Sequence, residues 1–232
     1  MTTGLWDRET FRRKSARHRR ARLSRQTSVP RRHERRQPFA GGIARLGGQS
    51  FLLSAKHSSQ RRRDPSNCPL REVRRVWIHR ILDHDGAGEN EGGIEAWLRL
   101  GEACGLSRDE LLQDRLLQPG VRFAVDAYVN FARTQPWPIA IASSLTELFA
   151  PDLMAARLAA FENIIPGSIR AALITSVAAV TQARRDSDEA LAITLDYCNT
   201  PELQREAVRA LEFKCDVLWS VLDAIHHAYG SS

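Results

Sequence analysis

The chain has 232 residues and a formal net charge of +7, long enough for one domain with a sizeable core or a domain plus an arm. Residues 1–70 carry 18 Lys+Arg against 4 Asp+Glu and residues 71–232 carry 16 against 23, so the basic character belongs to the N-terminal segment and the remainder is acidic. Four scattered cysteines without a C-x-x-C, no apolar run of spanning length and no signal-peptide core argue against a disulfide or zinc framework, a transmembrane helix and secretion, and point to a cytoplasmic protein.

Residues 1–66 show no sustained apolar period and are expected to be largely disordered or misfolded, leaving 67–230 as the helical domain. From residue 71 the apolar period is helical almost throughout. Arg71 to His84 places Val73, Trp77 and Ile81 on one stripe. The glycine-rich run from Gly86 to Gly93 breaks the chain before a helix from Ile94 to Cys104, which Gly105 closes. Ser107-Arg-Asp-Glu110 is a capping box opening a short helix. Val121 to Thr134 follows Pro119-Gly120 and ends before Pro136 and Pro138. Helices from Ile139 to Phe149 and from Asp152 to Glu162 come next, divided at Pro151. Thr200-Pro201-Glu202 supplies an N-cap, an N1 proline and a first-turn acid for a helix reaching about His227. No strand alternation competes with these signals, so the expected architecture is all-α, a helical bundle.

Ionisable groups on apolar stripes mark where chemistry could sit. The stripe of the last helix runs Ala207, Leu211, Lys214, Leu218, Leu222, Ile225, so Lys214, one of only three lysines, is directed at the core. A buried ammonium is costly unless paired. Lys214 therefore either meets an interior partner or snorkels its head to water. His84 ends its stripe between Asp83 and Asp85, placed either as a proton carrier or as a helix-terminal residue serving backbone carbonyls. Glu147 flanks Leu148, Arg157 shares a face with Leu153, Met154 and Phe161, and Tyr128 lies on the stripe Val121, Val125, Ala132. Singly, each reads as a core tyrosine or an internal ion pair. Together, five such groups in five helices make a poor core and a good pocket for a small polyanion. Other chemistries have weak support. Asp223-x-x-His226 lacks the second Glu-x-x-His of a di-iron bundle, and no P-loop, dinucleotide fingerprint or G-x-S-x-G is present.

The motifs RILDHDG from Arg80, GGIEAWLRLGEA from Gly92, SSLTELFAP from Ser143 and EFKCDVLWS from Glu212, the last followed by Leu222-Asp-Ala, are long and specific. They resemble the pyrroloquinoline-quinone (PQQ) synthase family over somewhat more than half the chain. The resemblance implies a seven-helix, haem-oxygenase-like bundle, a homodimer, and an oxidoreductase of PQQ biosynthesis. It implies dioxygen as co-substrate with no metal or organic cofactor, a tricarboxylated quinone precursor (AHQQ) as substrate and PQQ as product. It places His84, Tyr128 and Lys214 at catalytic positions and Thr146, Glu147 and Arg157 at substrate-binding ones. Met154 stands where some members have histidine.

Three tracts depart from the family: RLSRQTSVPRRHERRQ from Arg22, RLGGQSFLLS from Arg45 and IIPGSIRAALITS from Ile164. Each is compatible with a family motif read one nucleotide out of frame. A permissible codon choice for Arg22 to Gln37, read from its second base, yields D-Y-H-D-K-H-P-F-H-G-A-M-N-D-G. Comparable choices restore W-V-A-N-R-F-Y-Y-Q and Y-Y-P-W-I-D-P-R-G-L-D-Y-F in the other two. The affected stretches are about 10–66 and 163–180. The arginine-rich, lysine-poor composition of residues 1–70 fits a shifted GC-rich reading. It fits less well with two rivals, a nucleic-acid-binding arm and a transit peptide. Much of the expected pocket wall is lost with these tracts. The first helices are expected not to pack, and turnover is expected to be weak or absent. A catalytically inactive family member is the alternative.

Overall fold

The computed structural model describes residues 4–23, 67–113, 117–149 and 180–229. Among the described residues the chain forms α1 (Arg8–Leu23), α2 (Arg71–Asp85), α3 (Gly92–Ala103), α4 (Arg108–Leu112), α5 (Pro119–Thr134), α6 (Trp137–Ser143), a 3₁₀ helix (Ser144–Phe149), α7 (Val180–Tyr197) and α8 (Pro201–Tyr229). No strand occurs among them, only an isolated bridge between Ala87 and Asn90. None of these helices is long and apolar enough to cross a membrane. The helix expected from Asp152 to Glu162 lies outside the described residues.

Helix α8 is the axis of the fold. Its 29 residues pack along α5 and α6 and also meet α1 and the 3₁₀ helix, while α7 lies against α6, the 3₁₀ helix and α2. Thr200 starts α8 as its spacing predicts, its hydroxyl accepting from the Leu203 amide at 3.2 Å. Two apolar clusters result. The larger joins Phe11, Val73, Trp77, Ile141, Leu145, Leu191 and Leu211. The smaller joins Val121, Val125 and Tyr128 of α5 to Val217, Val221 and Ile225 of α8. Close approach of these two helices depends on Gly120, where an added Cβ would lie 2.8 Å from Ala224 Cβ.

Between α2 and α3 the glycines do what the sequence requires. Gly86, Gly88 and Gly92 have φ of 90°, 59° and 81°, the left-handed region glycine enters without a Cβ penalty. The turn is so tight that a Cβ on Gly92 would sit 2.4 Å from the Gly86 nitrogen. The Ser107 capping box is present in full, and ion pairs from Arg108 to Glu95 and Glu102 hold α4 to α3.

Three expectations are corrected. Residues 8–23 are helical rather than disordered, and the segment docks. Phe11 is fully buried, and Gln204 clamps the Trp6 backbone, accepting from its N–H at 2.7 Å and donating to its carbonyl at 3.1 Å. A four-residue spacing, Phe11 to Ser15, suffices for one docked face even in an arginine-rich helix. The helix expected from Ile139 instead begins at Trp137, since proline is tolerated in a first turn. It tightens to 3₁₀ at Ser144, where the Ser143 and Ser144 hydroxyls donate to the carbonyls of Ala140 and Ile141 at 2.6 and 2.7 Å. On α2 the buried set is Val73, Trp77 and Arg80, with Ile81 only half-buried.

Candidate active site

Lys214 does not snorkel. It is 2% exposed, and its Nζ lies 3.3 Å from the centroid of the Tyr128 ring. The ring's quadrupole offers that ammonium an attraction of about 2 kcal/mol when both are desolvated. Lys214 stands between Leu211 of the larger apolar cluster and Val217 of the smaller one, so the charge lies along α8 between the two. Tyr128 is itself 2% exposed, with its hydroxyl 3.0 Å from Ser143 Oγ. The Ser143 proton is committed to the Ala140 carbonyl, so Tyr128 is the donor in that pair.

A second buried cation lies on the other side of the same serine pair. Arg80 is 1% exposed; its Nη1 donates to Ser144 Oγ at 3.3 Å and its guanidinium lies 4.3 Å from the Trp77 ring centroid. Periodicity alone does not single out Arg80, because its neighbour Ile81 also fits the helical stripe with Val73 and Trp77. The run 73, 77, 80, 84 at spacings of four, three and four was the available signal. One turn further, His84 is half-buried, with its Nδ1 shielded from solvent. A Cβ on Gly93 would come within 3.9 Å of its Cδ2, so the start of α3 lies against the imidazole.

The structure thus brings Tyr128 and Lys214 together and adds Arg80, Ser143 and Ser144 to them. Thr146 is half-buried within the 3₁₀ helix, where the Glu147 backbone follows it. Arg157 and Met154 lie outside the described residues. Among the described residues no group of three or more His, Cys, Asp or Glu could hold a metal ion. The four cysteines are buried thiols. Burial pushes the Cys68 and Cys104 thiols up and, with Glu206 nearby, raises Cys198 to about 11, which makes them poor nucleophiles.

An interior of this kind, cationic and aromatic within an all-α scaffold, suits a planar anion. The TENA/THI-4/PQQC family model matches residues 65–224. The chain belongs to that family. Its all-α, haem-oxygenase-like bundle is the fold described above, and the TENA/THI-4/PQQC match spans the positions of His84, Tyr128, Glu147, Arg157 and Lys214. Proteins named pyrroloquinoline-quinone synthase from Cronobacter sakazakii and Ectopseudomonas mendocina are each 54% identical to it over 164 residues. One of the same name from Klebsiella pneumoniae is 51% identical over the same length. The match covers 71% of this chain and 65% or 66% of each relative, so the chain spans just under two thirds of the relatives' length.

Proposed function

We propose that this protein catalyses the final step of PQQ biosynthesis, the oxygen-dependent ring closure and oxidation of AHQQ to PQQ. The observation that carries the reading is 54% identity over 164 residues to proteins named for that reaction. The desolvated Lys214 on Tyr128 agrees with it. Lys214 holds a carboxylate or quinone oxygen of the precursor, and Arg157 holds another through its planar fork. His84 moves protons during the stepwise oxidations. Tyr128, Thr146 and Glu147 orient the substrate and the basic groups around it. Dioxygen is the co-substrate, no metal or organic cofactor takes part, and the working unit is a cytoplasmic homodimer.

Because the tracts from Arg22, Arg45 and Ile164 depart from the family, this chain carries out that step only weakly while still binding the precursor. The alternative of a nucleic-acid-binding arm is disfavoured by the same identity to proteins named pyrroloquinoline-quinone synthase. The test is an anaerobic spectral titration of the purified chain with AHQQ, followed by admission of oxygen and quantification of PQQ. A saturable spectral shift with little oxygen consumption is expected. Absence of any shift refutes precursor binding, and rapid PQQ formation refutes the impaired turnover.

A further inference from the structure

We propose that Ser143 is a positioning residue of this site, holding the Tyr128 ring face-on to Lys214 and so fixing where the buried ammonium sits; its effect on precursor affinity rests on the precursor-binding reading above. Ser143 is fully buried at the last residue of α6, where the backbone passes into the 3₁₀ helix. Its hydroxyl has one proton, and the 2.6 Å bond to the Ala140 carbonyl uses it. What Ser143 offers its surroundings is therefore an oriented lone pair, and Tyr128 O–H donates to it at 3.0 Å.

That single bond fixes more than a hydroxyl. A phenol pivots about two side-chain torsions, the second of them broad. Anchoring its distal oxygen fixes the first torsion, and because a phenolic O–H prefers to lie in the ring plane, aiming that proton at Ser143 biases the second. The Lys214 Nζ lies over that plane at 3.3 Å from the centroid, a geometry in which attraction depends on the cation facing the ring rather than its edge. Ser144 repeats the device towards α2, donating to the Ile141 carbonyl and accepting from Arg80. Adjacent hydroxyls thus serve as fixed acceptors for α5 and α2, and the one turned to α5 controls the aim of Lys214. A purely structural serine would satisfy a buried donor and have no influence on the lysine.

The three lysines, Lys14, Lys56 and Lys214, make this directly observable. In full-length protein labelled with ¹³C-lysine, Lys214 is expected to show an upfield ring-current displacement of its ε-methylene signals, assigned with Lys214→Met. Ser143→Ala should abolish most of that displacement while circular dichroism stays unchanged, and Ser143→Thr, which keeps the hydroxyl, should retain it. AHQQ affinity should fall roughly fivefold to tenfold in Ser143→Ala, the loss of about one hydrogen bond, and recover in Ser143→Thr. If Ser143→Ala misfolds, Tyr128→Phe makes the same test, since it removes the other half of the bond and keeps the ring. An unchanged Lys214 displacement in a folded Ser143→Ala or Tyr128→Phe protein overturns the proposal. Failure of wild-type protein to bind AHQQ overturns the functional reading alone, because the ring-current measurement needs no precursor.

Discussion

Replacing Lys214 by Met should stabilise the fold while weakening precursor binding. The side chain is 2% exposed, and taking an ammonium out of water costs several kcal/mol even after relaxation. The face of Tyr128 returns about 2 kcal/mol of this, and buried ionic sites often yield to apolar residues of similar volume with a gain in stability. Methionine keeps the length and apolar character of the stem, so no large cavity opens. A gain on the order of 1–3 kcal/mol is expected, within the range seen when buried ions yield to apolar residues of similar size. For a chain of this length each kcal/mol moves the midpoint roughly 2–4 °C. The reciprocal change, Tyr128→Leu, leaves the ammonium without its aromatic partner and should destabilise by roughly 2–4 kcal/mol. Combined with Lys214→Met, it should cost clearly less, because there is no longer a charge to strand. Urea unfolding of the two single variants and the double variant completes the cycle. AHQQ affinity of Lys214→Met should fall roughly tenfold to a hundredfold, the value of a charge-assisted hydrogen bond. A Lys214→Met protein less stable than wild type by more than about 1 kcal/mol would refute the argument that desolvating this ammonium costs more than its contacts return.

Ser15 Oγ is buried without a hydrogen-bond partner among the described residues, so Ser15→Ala should be neutral or raise stability by up to about 1 kcal/mol in urea titration. A loss beyond about 1 kcal/mol would mean that the hydroxyl is satisfied. Gly92→Ala combines a φ of +81° with a Cβ placed 2.4 Å from the Gly86 backbone nitrogen; the α2–α3 junction should loosen, seen as faster amide exchange in 84–95, with a cost of at least 2–3 kcal/mol. Wild-type exchange rates there in the variant would show that the turn is less constrained. Cys198 has its thiol raised from 9.0 to about 11, so the folded state holds that proton more tightly than the unfolded one. Its contribution is complete below pH 9 and fades as pH rises towards 11, by on the order of 2 kcal/mol. Cys198→Ala should flatten that alkaline loss of stability, and an unchanged pH slope would rule Cys198 out as its source.

Much of the fold was legible in advance because its signals are local. The capping box at Ser107, the N1 proline at Pro201 and the helical stripe Val121, Val125, Tyr128, Ala132 depend on neighbours within one or two turns. All three recur in the structure. The stripe Ala207, Leu211, Lys214 likewise placed Lys214 on the core face. Whether its head met a partner or snorkelled, and that Val217 and Val221 rather than Leu218 and Leu222 continue the buried face, was settled by the packing. Local signals failed where distant elements decide. An arginine-rich segment looked unable to order. Yet Phe11 and a clamp on the Trp6 backbone dock it, because α7 and α8 supply the apolar surface and Gln204 supplies the hydrogen bonds. Arg80 in place of Ile81 as the buried residue of α2 was likewise settled by what lies opposite, the Trp77 ring and Ser144. Family membership was carried by the sequence alone, through motifs whose order needs no coordinates. That Lys214 rests on the face of Tyr128, and that Tyr128 is tethered to Ser143, only the tertiary structure could decide. The spacing of residues along one helix fixes which way a side chain points, whereas its partner is chosen by the packing of α5, α6 and α8 against one another.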